Sequence, residues 1–174
     1  MKYFILTILF SSNFLFTQET VRVNTGLSSI SYFGKHFLHS WNSENTNISG
    51  IIEVDDKKIS SLGVVAKVID FKSGNSNLDS NSYRVLEALK FPNIIFRSTS
   101  IKYEDQQLFI KGTLNFHGVE KEVATYFIQT DEVNRIILKG SFTFSLEEFN
   151  IDRPSLLLKK IDDQIEVQVK LVFR

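Results

Sequence analysis

The chain contains no cysteine in its 174 residues. This absence excludes disulfide bonds, thiolate zinc sites, iron–sulfur clusters, c-type haem attachment and a cysteine nucleophile. The chain also lacks a net charge, because 20 basic residues balance 20 acidic ones. No single segment is rich in lysine and arginine either. We therefore expect no nucleic-acid partner, since such proteins use a positive field to collect phosphates.

Linkers and repeats are equally scarce. The chain has two prolines, at positions 92 and 154, and no tract rich in glycine and serine, or in one charge, that is long enough for a linker. Its length, its apolar fraction of 43% and its charged fraction of 23% are typical of one globular domain with a sizeable core. We expect a single domain.

Motifs of the common catalytic sites are missing as well. The sequence has no Gly-x-Ser-x-Gly nucleophile elbow, no glycine-rich phosphate loop and no His-Glu-x-x-His helix. Adjacent carboxylates fall in predicted turns, where such pairs are usually solvated, at residues 55–56, 104–105, 147–148 and 162–163. We therefore expect that the chain is not an enzyme and needs no cofactor.

The N-terminus has the layout of a secretory signal peptide. One lysine precedes a short apolar stretch over residues 3–10, which is too short to span a bilayer comfortably. Leu15 and Thr17 stand where small residues usually precede a cleavage site, which leaves open an uncleaved anchor or a first buried strand. We expect residues 1–17 to be removed, leaving residues 18–174 as a periplasmic or secreted domain without a stable membrane anchor.

Alternation of apolar and polar residues dominates the rest of the chain. It places apolar side chains at every second position, and glycines in two places, over residues 108–116, 136–146 and 165–173. Only a strand puts such residues on one face. Weaker strand patterns cover residues 20–24, 29–35, 48–55, 62–71, 93–103 and 119–130. These segments predict a mostly antiparallel β protein.

One segment favours a helix instead. Asp79 is a candidate cap, Tyr83, Leu86 and Leu89 follow at helical spacing, and Pro92 ends the pattern. A short helix over about residues 79–90, combined with about eight long strands, fits a closed up-and-down barrel or a sandwich. Closure is favoured because long apolar strands would leave exposed edges in an open sheet.

Six short motifs follow one another along the chain, at residues 71–79, 86–92, 94–98, 110–123, 149–154 and 161–163. In this order they resemble the YceI-like family, and the resemblance spans roughly residues 20–174. The resemblance implies an extended lipocalin-like barrel, exported to the periplasm in Gram-negative bacteria, that encloses a long isoprenoid in an apolar tunnel. Together with the strand count, this predicts an all-β, antiparallel eight-stranded lipocalin-like barrel. Leu78 and Asn81 depart from the family, whose members often carry arginine and histidine there, so no role of those residues is carried over.

The candidate ligand-binding residues are the bulky members of the alternating sets. They are Phe33, Ile51, Val64, Val68, Phe96, Leu108, Ile110, Leu114, Phe116, Phe127, Leu138, Phe142, Phe144, Val167, Val169 and Leu171. From the residues alone, these side chains either line a cavity or pack the barrel solid; the family resemblance favours the cavity. We expect an exported lipid-binding protein, a monomer or homodimer, that holds an amphiphilic polyisoprenoid for sequestration or transport.

An alternative function uses the histidines. His36, His39 and His117 are the candidate ligands of a haem- or metal-binding periplasmic protein, although no metal ligand set follows from their spacing. A third possibility is a solidly packed barrel that binds other proteins.

Two strand glycines and the single tryptophan also stand out. Gly112 and Gly140 lie on apolar strand faces, where they mark either barrel bends or positions at which a ligand approaches the backbone. Trp41 lies between two predicted strands, where it either gates the tunnel mouth or plugs one barrel end.

Overall fold

The computed structural model describes residues 19–174, so the predicted signal peptide lies outside the described part. The helix α1 spans Ser76–Val85. The strands, in chain order, are β1 (Glu19–Arg22), β2 (Ser29–His36), β3 (His39–Asn45), β4 (Ile48–Asp55), β5 (Lys58–Lys67), β6 (Asn93–Glu104), β7 (Gln107–Phe116), β8 (Val119–Glu132), β9 (Arg135–Ser145), β10 (Ser155–Leu156), β11 (Lys159–Lys160) and β12 (Gln164–Phe173). Between residues 19 and 174, no helix has the length and apolar character needed to cross a membrane.

Ten of these strands form one curled antiparallel sheet in the order β1-β4-β5-β6-β7-β8-β9-β12-β2-β3, and β10 and β11 form a separate small hairpin. The sheet curls so that each of its end strands, β1 and β3, contacts a second segment of the chain. Val23, which extends β1, forms a bridge with Phe173 of β12. Glu44 of β3 pairs with Lys72 through two backbone hydrogen bonds of 2.9 Å. These contacts close the barrel and satisfy backbone groups that an open edge would expose.

The prediction of an all-β, antiparallel, lipocalin-like barrel is confirmed. The alternation that predicted β7 is visible in its burial, since every second side chain from Leu108 to Phe116 is buried. The predicted count of eight strands is wrong, because the main sheet has ten. The strand β3 escaped prediction because its sequence is almost entirely polar, although Ser43 and Asn45 are buried.

The helix begins three residues before the predicted segment 79–90 and ends five residues before the end of that segment. Asn75, not Asp79, caps it, because the Asn75 side-chain oxygen accepts hydrogen bonds from the backbone N–H groups of Asn77 and Leu78. The helix ends at Val85, and Glu87 has a positive φ of 45°, a conformation that ends helices. Consequently two of the three residues predicted at helical spacing, Leu86 and Leu89, lie beyond the end of the helix.

The barrel interior divides into two apolar clusters. The filled half is packed by Ile48, Ile52, Ile59, Leu108, Leu138 and Phe173, and five further members of this cluster, Leu62, Val64, Ile110, Phe127 and Leu171, face the cavity of the other half. The open half is walled by Leu114, Phe116, Leu146, Ile151, Ile165 and Val167, and Phe149 of the same cluster packs against the Phe116 and Phe144 rings outside the lining. The cavity lies between these wall residues and the five members of the first cluster that face it.

Candidate functional site

The open half of the barrel contains a cavity of about 490 Å³. This volume falls within the roughly 300–1,000 Å³ range of small-molecule sites. Inward-facing strand residues form most of its wall, and α1 closes one side with Leu78, Val85 and other residues. The space is therefore enclosed by elements that the fold already fixes.

Most of the predicted binding residues line this cavity. They are Val64, Phe96, Ile110, Leu114, Phe116, Phe127, Phe142, Phe144, Val167, Val169 and Leu171. The rings of Phe116 and Phe144 pack edge to face, with centroids 5.7 Å apart. Such aromatic packing holds wall side chains in place without filling the space between them.

Five predicted binding residues lie elsewhere. Phe33 and Ile51 point to the other face of the sheet, because their neighbours Tyr32 and Ile52 take the inward positions. Leu108 and Leu138 point inward but are buried in the filled half. Val68 is buried in a short 3-10 turn that follows β5.

Sequence reasoning also missed part of the lining. The missed apolar residues are Ile30, Tyr32, Leu62, Ala66, Phe71, Leu78, Val85, Leu86, Ile94, Val123, Leu146, Ile151, Ile161 and Ile165. Leu62 and Ala66 share a strand face with the predicted Val64, so the alternation contained the signal for them. The helix residues carried no such signal, because a helix face acquires its partner only in the fold.

Polar side chains lie at the side of the cavity formed by α1, the β2–β3 hairpin and the β10–β11 hairpin. They include His36, His39, Ser82, Arg84 and Ser155. The lining is thus mostly apolar along the main sheet, where Thr125 is an exception, and more polar at this side.

His36 and His39 belong to this polar side. The two residues are paired across the β2–β3 hairpin, with ring centroids 5.9 Å apart. His36 is buried, and its Nε2 lies 3.2 Å from the carbonyl oxygen of Lys159 on β11. A carbonyl only accepts, so Nε2 carries the proton in this hydrogen bond. The bond ties the two hairpins together beside the cavity.

The wall formed by α1 is anchored by hydrogen bonds at its start. The buried Asp79 carboxylate accepts from the Ser73 N–H at 2.8 Å and from the Ser73 hydroxyl at 2.6 Å. The Tyr83 hydroxyl donates to the Phe71 carbonyl oxygen at 2.6 Å. It also accepts from Lys72 Nζ, a hydrogen bond that raises the pKa of the Lys72 ammonium above its usual value. Polar bonds therefore fix the position of the helix over the cavity.

Large aromatic rings of the wall pack against strand glycines, in space that a Cβ would occupy. A Cβ on Gly140 would come within 2.7 Å of the Phe127 ring, and a Cβ on Gly112 would overlap the Phe96 ring. The indole of Trp41 lies against Gly34 in the same way, and Trp41 lines the cavity. A protein ring therefore lies on each glycine, and a β-bulge between Ser98 and Ser100 of β6 lies opposite Gly112, in agreement with the interpretation of that glycine as a bend.

The three histidines do not assemble into one site. The buried His117 lies away from the cavity lining, with Nδ1 3.0 Å from the Phe149 carbonyl oxygen and Nε2 3.0 Å from a Glu87 carboxylate oxygen. In the described range 19–174, no cluster of three or more histidines and carboxylates has the arrangement of a metal site. The alternative of a metal site built on His36, His39 and His117 therefore gains no geometric support.

Similar folds occur among solved structures. BcnA of Burkholderia cenocepacia superimposes with a TM-score of 0.79 at 17% identity, covering 86% of this chain and 98% of that one. A polyisoprenoid-binding domain from Saccharophagus degradans, implicated in plant cell wall breakdown, gives 0.75 at 13% identity, covering 88% and 97%. The YceI protein of Campylobacter jejuni gives 0.59 at 15% identity, covering 97% and 90%. At these identities the likeness shows a shared fold.

The sequence itself supplies the family. A search of curated proteins finds no match. Residues 22–173, however, match the YceI-like domain, which is nearly the whole of the barrel described above. The chain therefore belongs to the YceI-like domain family.

Proposed function

We propose that this chain is an exported lipid-binding protein that holds an amphiphilic polyisoprenoid in its barrel for sequestration or transport. The observation that carries the proposal is the apolar cavity of about 490 Å³ in the open half. Burial of apolar surface contributes about 25 cal/mol per Å², so an apolar chain is held there by desolvation and needs few polar contacts.

Two further observations support the choice of ligand. A structural neighbour with the same fold is a polyisoprenoid-binding domain. The polar side of the cavity, with His36, Ser82 and Arg84, offers hydrogen-bonding groups to the polar end of an amphiphile while the strands contact its chain. The N-terminal pattern of residues 1–17 favours export, so the natural source of the loaded protein is the periplasm of the host.

The test is extraction of the protein purified from a periplasmic fraction of its native host. We expect organic solvent to release one long isoprenoid per chain, identified by mass spectrometry. Protein that repeatedly yields no extractable lipid would contradict the proposal.

A matched pair of variants connects the lipid to the cavity. Val64 lines the cavity, whereas Val65, the next residue on β5, points away from it. Val64→Phe reduces the space and is expected to lower the extracted isoprenoid several-fold. Val65→Phe makes the same change on the outer face and should leave the isoprenoid-to-protein ratio unchanged. Equal loading of both variants would place the lipid outside the cavity.

A further inference from the structure

Two hairpin tips beside the cavity expose large apolar side chains. Phe37 and Leu38 form the turn between β2 and β3 and are 52% and 53% exposed. Leu157 and Leu158 form the turn between β10 and β11, where Leu157 is 71% exposed and Leu158 is fully exposed. The chain thus displays four large apolar residues to solvent at two adjacent turns.

The two tips form one surface. The Lys159 ammonium lies 4.6 Å from the centre of the Phe37 ring. The Nε2 atom of His36 lies 3.2 Å from the Lys159 carbonyl oxygen. Strand residues close to both turns line the cavity, namely His36, His39 and Ser155. We call residues 35–39 and 155–160 together the rim surface.

The second turn is also unfavourable for its own sequence. Leu157 and Leu158 have positive φ angles of 51° and 66°. A two-residue hairpin turn with both residues in this region is normally built from Asn-Gly or a similar pair, because a larger side chain disfavours it. Two leucines therefore weaken the turn and expose apolar surface at the same time, as expected of a site kept for contact with a partner.

The rim surface carries an excess of positive charge. It contains Lys35, Lys159 and Lys160, and the acidic residue Asp162 borders it, since the Asp162 N–H donates to the Lys35 carbonyl oxygen at 2.9 Å. The surface thus keeps an excess of positive charge, although the whole chain carries equal numbers of acidic and basic groups. All three lysines are exposed. Apolar tips that project between lysines are complementary to a bilayer, whose acyl region takes the side chains and whose anionic headgroups attract the ammonium groups.

We propose that the rim surface docks the barrel onto an anionic lipid bilayer, with Phe37, Leu38, Leu157 and Leu158 entering the interface. In this orientation the polar side of the cavity faces the membrane. The docked protein then exchanges an apolar guest with the bilayer without exposing it to water. The docking itself requires no guest and is measured without one.

The test is co-sedimentation of the purified chain with guest-free vesicles. We expect binding to vesicles of equimolar phosphatidylcholine and phosphatidylglycerol, and weaker binding to phosphatidylcholine alone. Added salt should reduce the binding to the anionic vesicles. Trp41, the sole tryptophan, lies on the hairpin of the first tip, so energy transfer from it to a dansyl-labelled lipid gives an independent signal.

The decisive variant is Leu157→Asn/Leu158→Gly. It supplies the residues that the turn prefers, so folding is retained, and it removes the apolar tip. We expect partitioning onto anionic vesicles to fall about ten-fold or more, and Lys159→Gln/Lys160→Gln to weaken it about five-fold per lysine. Val133→Asn is the control, because Val133 is 89% exposed in the turn between β8 and β9, next to the filled half.

Two results would overturn the proposal: wild-type protein that does not bind the anionic vesicles, or a Leu157→Asn/Leu158→Gly variant that binds as well as wild type. Because the vesicles contain no isoprenoid, failure of docking leaves the extraction experiment on cavity loading unaffected. Docking without any extractable isoprenoid would, in turn, contradict only the proposed ligand.

Discussion

The hydrogen atom that serves as the side chain of Gly140 determines how close Phe127 lies to the barrel wall. The Phe127 ring occupies the space that a Cβ on Gly140 would take, at 2.7 Å. Phe127 also lines the cavity, so a ring displaced from the glycine moves into the open half. At the scale of single residues, cavity volume therefore depends on glycines as much as on large apolar side chains.

Gly140→Ala is expected to destabilise the protein by about 1–3 kcal/mol, because the added methyl group forces the Phe127 ring out of its position. Urea unfolding measures the free-energy difference, and the extracted isoprenoid should fall with it. The control is Gly63→Ala, where the nearest atom to a new Cβ lies 3.9 Å away, and where we expect a change within about 0.5 kcal/mol. Equal stabilities of the two variants would show that the Phe127 ring is free to move.

At the scale of elements, α1 is the wall of the cavity that depends least on the sheet. It begins at Asn75, whose side chain accepts two backbone hydrogen bonds of 3.0 and 3.2 Å. Asn75→Ala should cost about 1 kcal/mol of unfolding free energy, because those N–H groups lose their acceptor. The hydrogen-exchange rates of the α1 amides should rise in the same variant. Asn77→Ala, at an exposed position whose side chain is no cap, should change neither quantity; an effect as large as that of Asn75→Ala would refute the capping role.

The start of β12 is tied to the 3-10 turn at Glu147–Phe149 through Asp163. Partial burial raises the pKa of the Asp163 carboxyl, but hydrogen bonds from Ser145 and the Glu147 N–H, together with the charge of Arg153, lower it below 3.8 overall. Folding therefore favours the ionised carboxylate. Its stabilisation is present above pH 3.8 and is lost as the pH falls through the lowered pKa.

We expect Asp163→Asn to reduce stability at neutral pH and to match wild type in strongly acidic solution, where wild-type Asp163 is protonated. Urea unfolding of both proteins across acidic pH measures the difference between them. A difference that stays constant from neutral to strongly acidic pH would show that the carboxylate charge contributes nothing.

At the scale of the whole molecule, the sequence predicted the barrel but not the division of its interior. Leu108 and Leu114 lie on the same face of β7, so alternation treats them alike. In the fold, Leu108 is packed in the filled half and Leu114 lines the cavity. The difference arises from their positions along the barrel axis, because opposing side chains meet at one position and stand apart at the other. The alternation of apolar residues in the sequence does not encode that position.

Other parts of the site were out of reach for similar reasons. The pair Ile51 and Ile52 is apolar at both positions, so the pattern does not show which residue faces inward; the register with β5 decides it. His36 and His39 approach each other because a hairpin turn lies between them, a contact that no single-strand pattern predicts. The sequence thus predicts well which residues share one face of a strand, but it predicts poorly which elements contact each other.

In our proposal the open half of the barrel holds one apolar chain. Native mass spectrometry of protein purified from its natural host measures this occupancy, because it weighs the intact complex. We expect a mass above that of the polypeptide by one polyisoprenoid, released on collisional activation. A species at the bare polypeptide mass in every preparation, with no apolar adduct, would contradict the account.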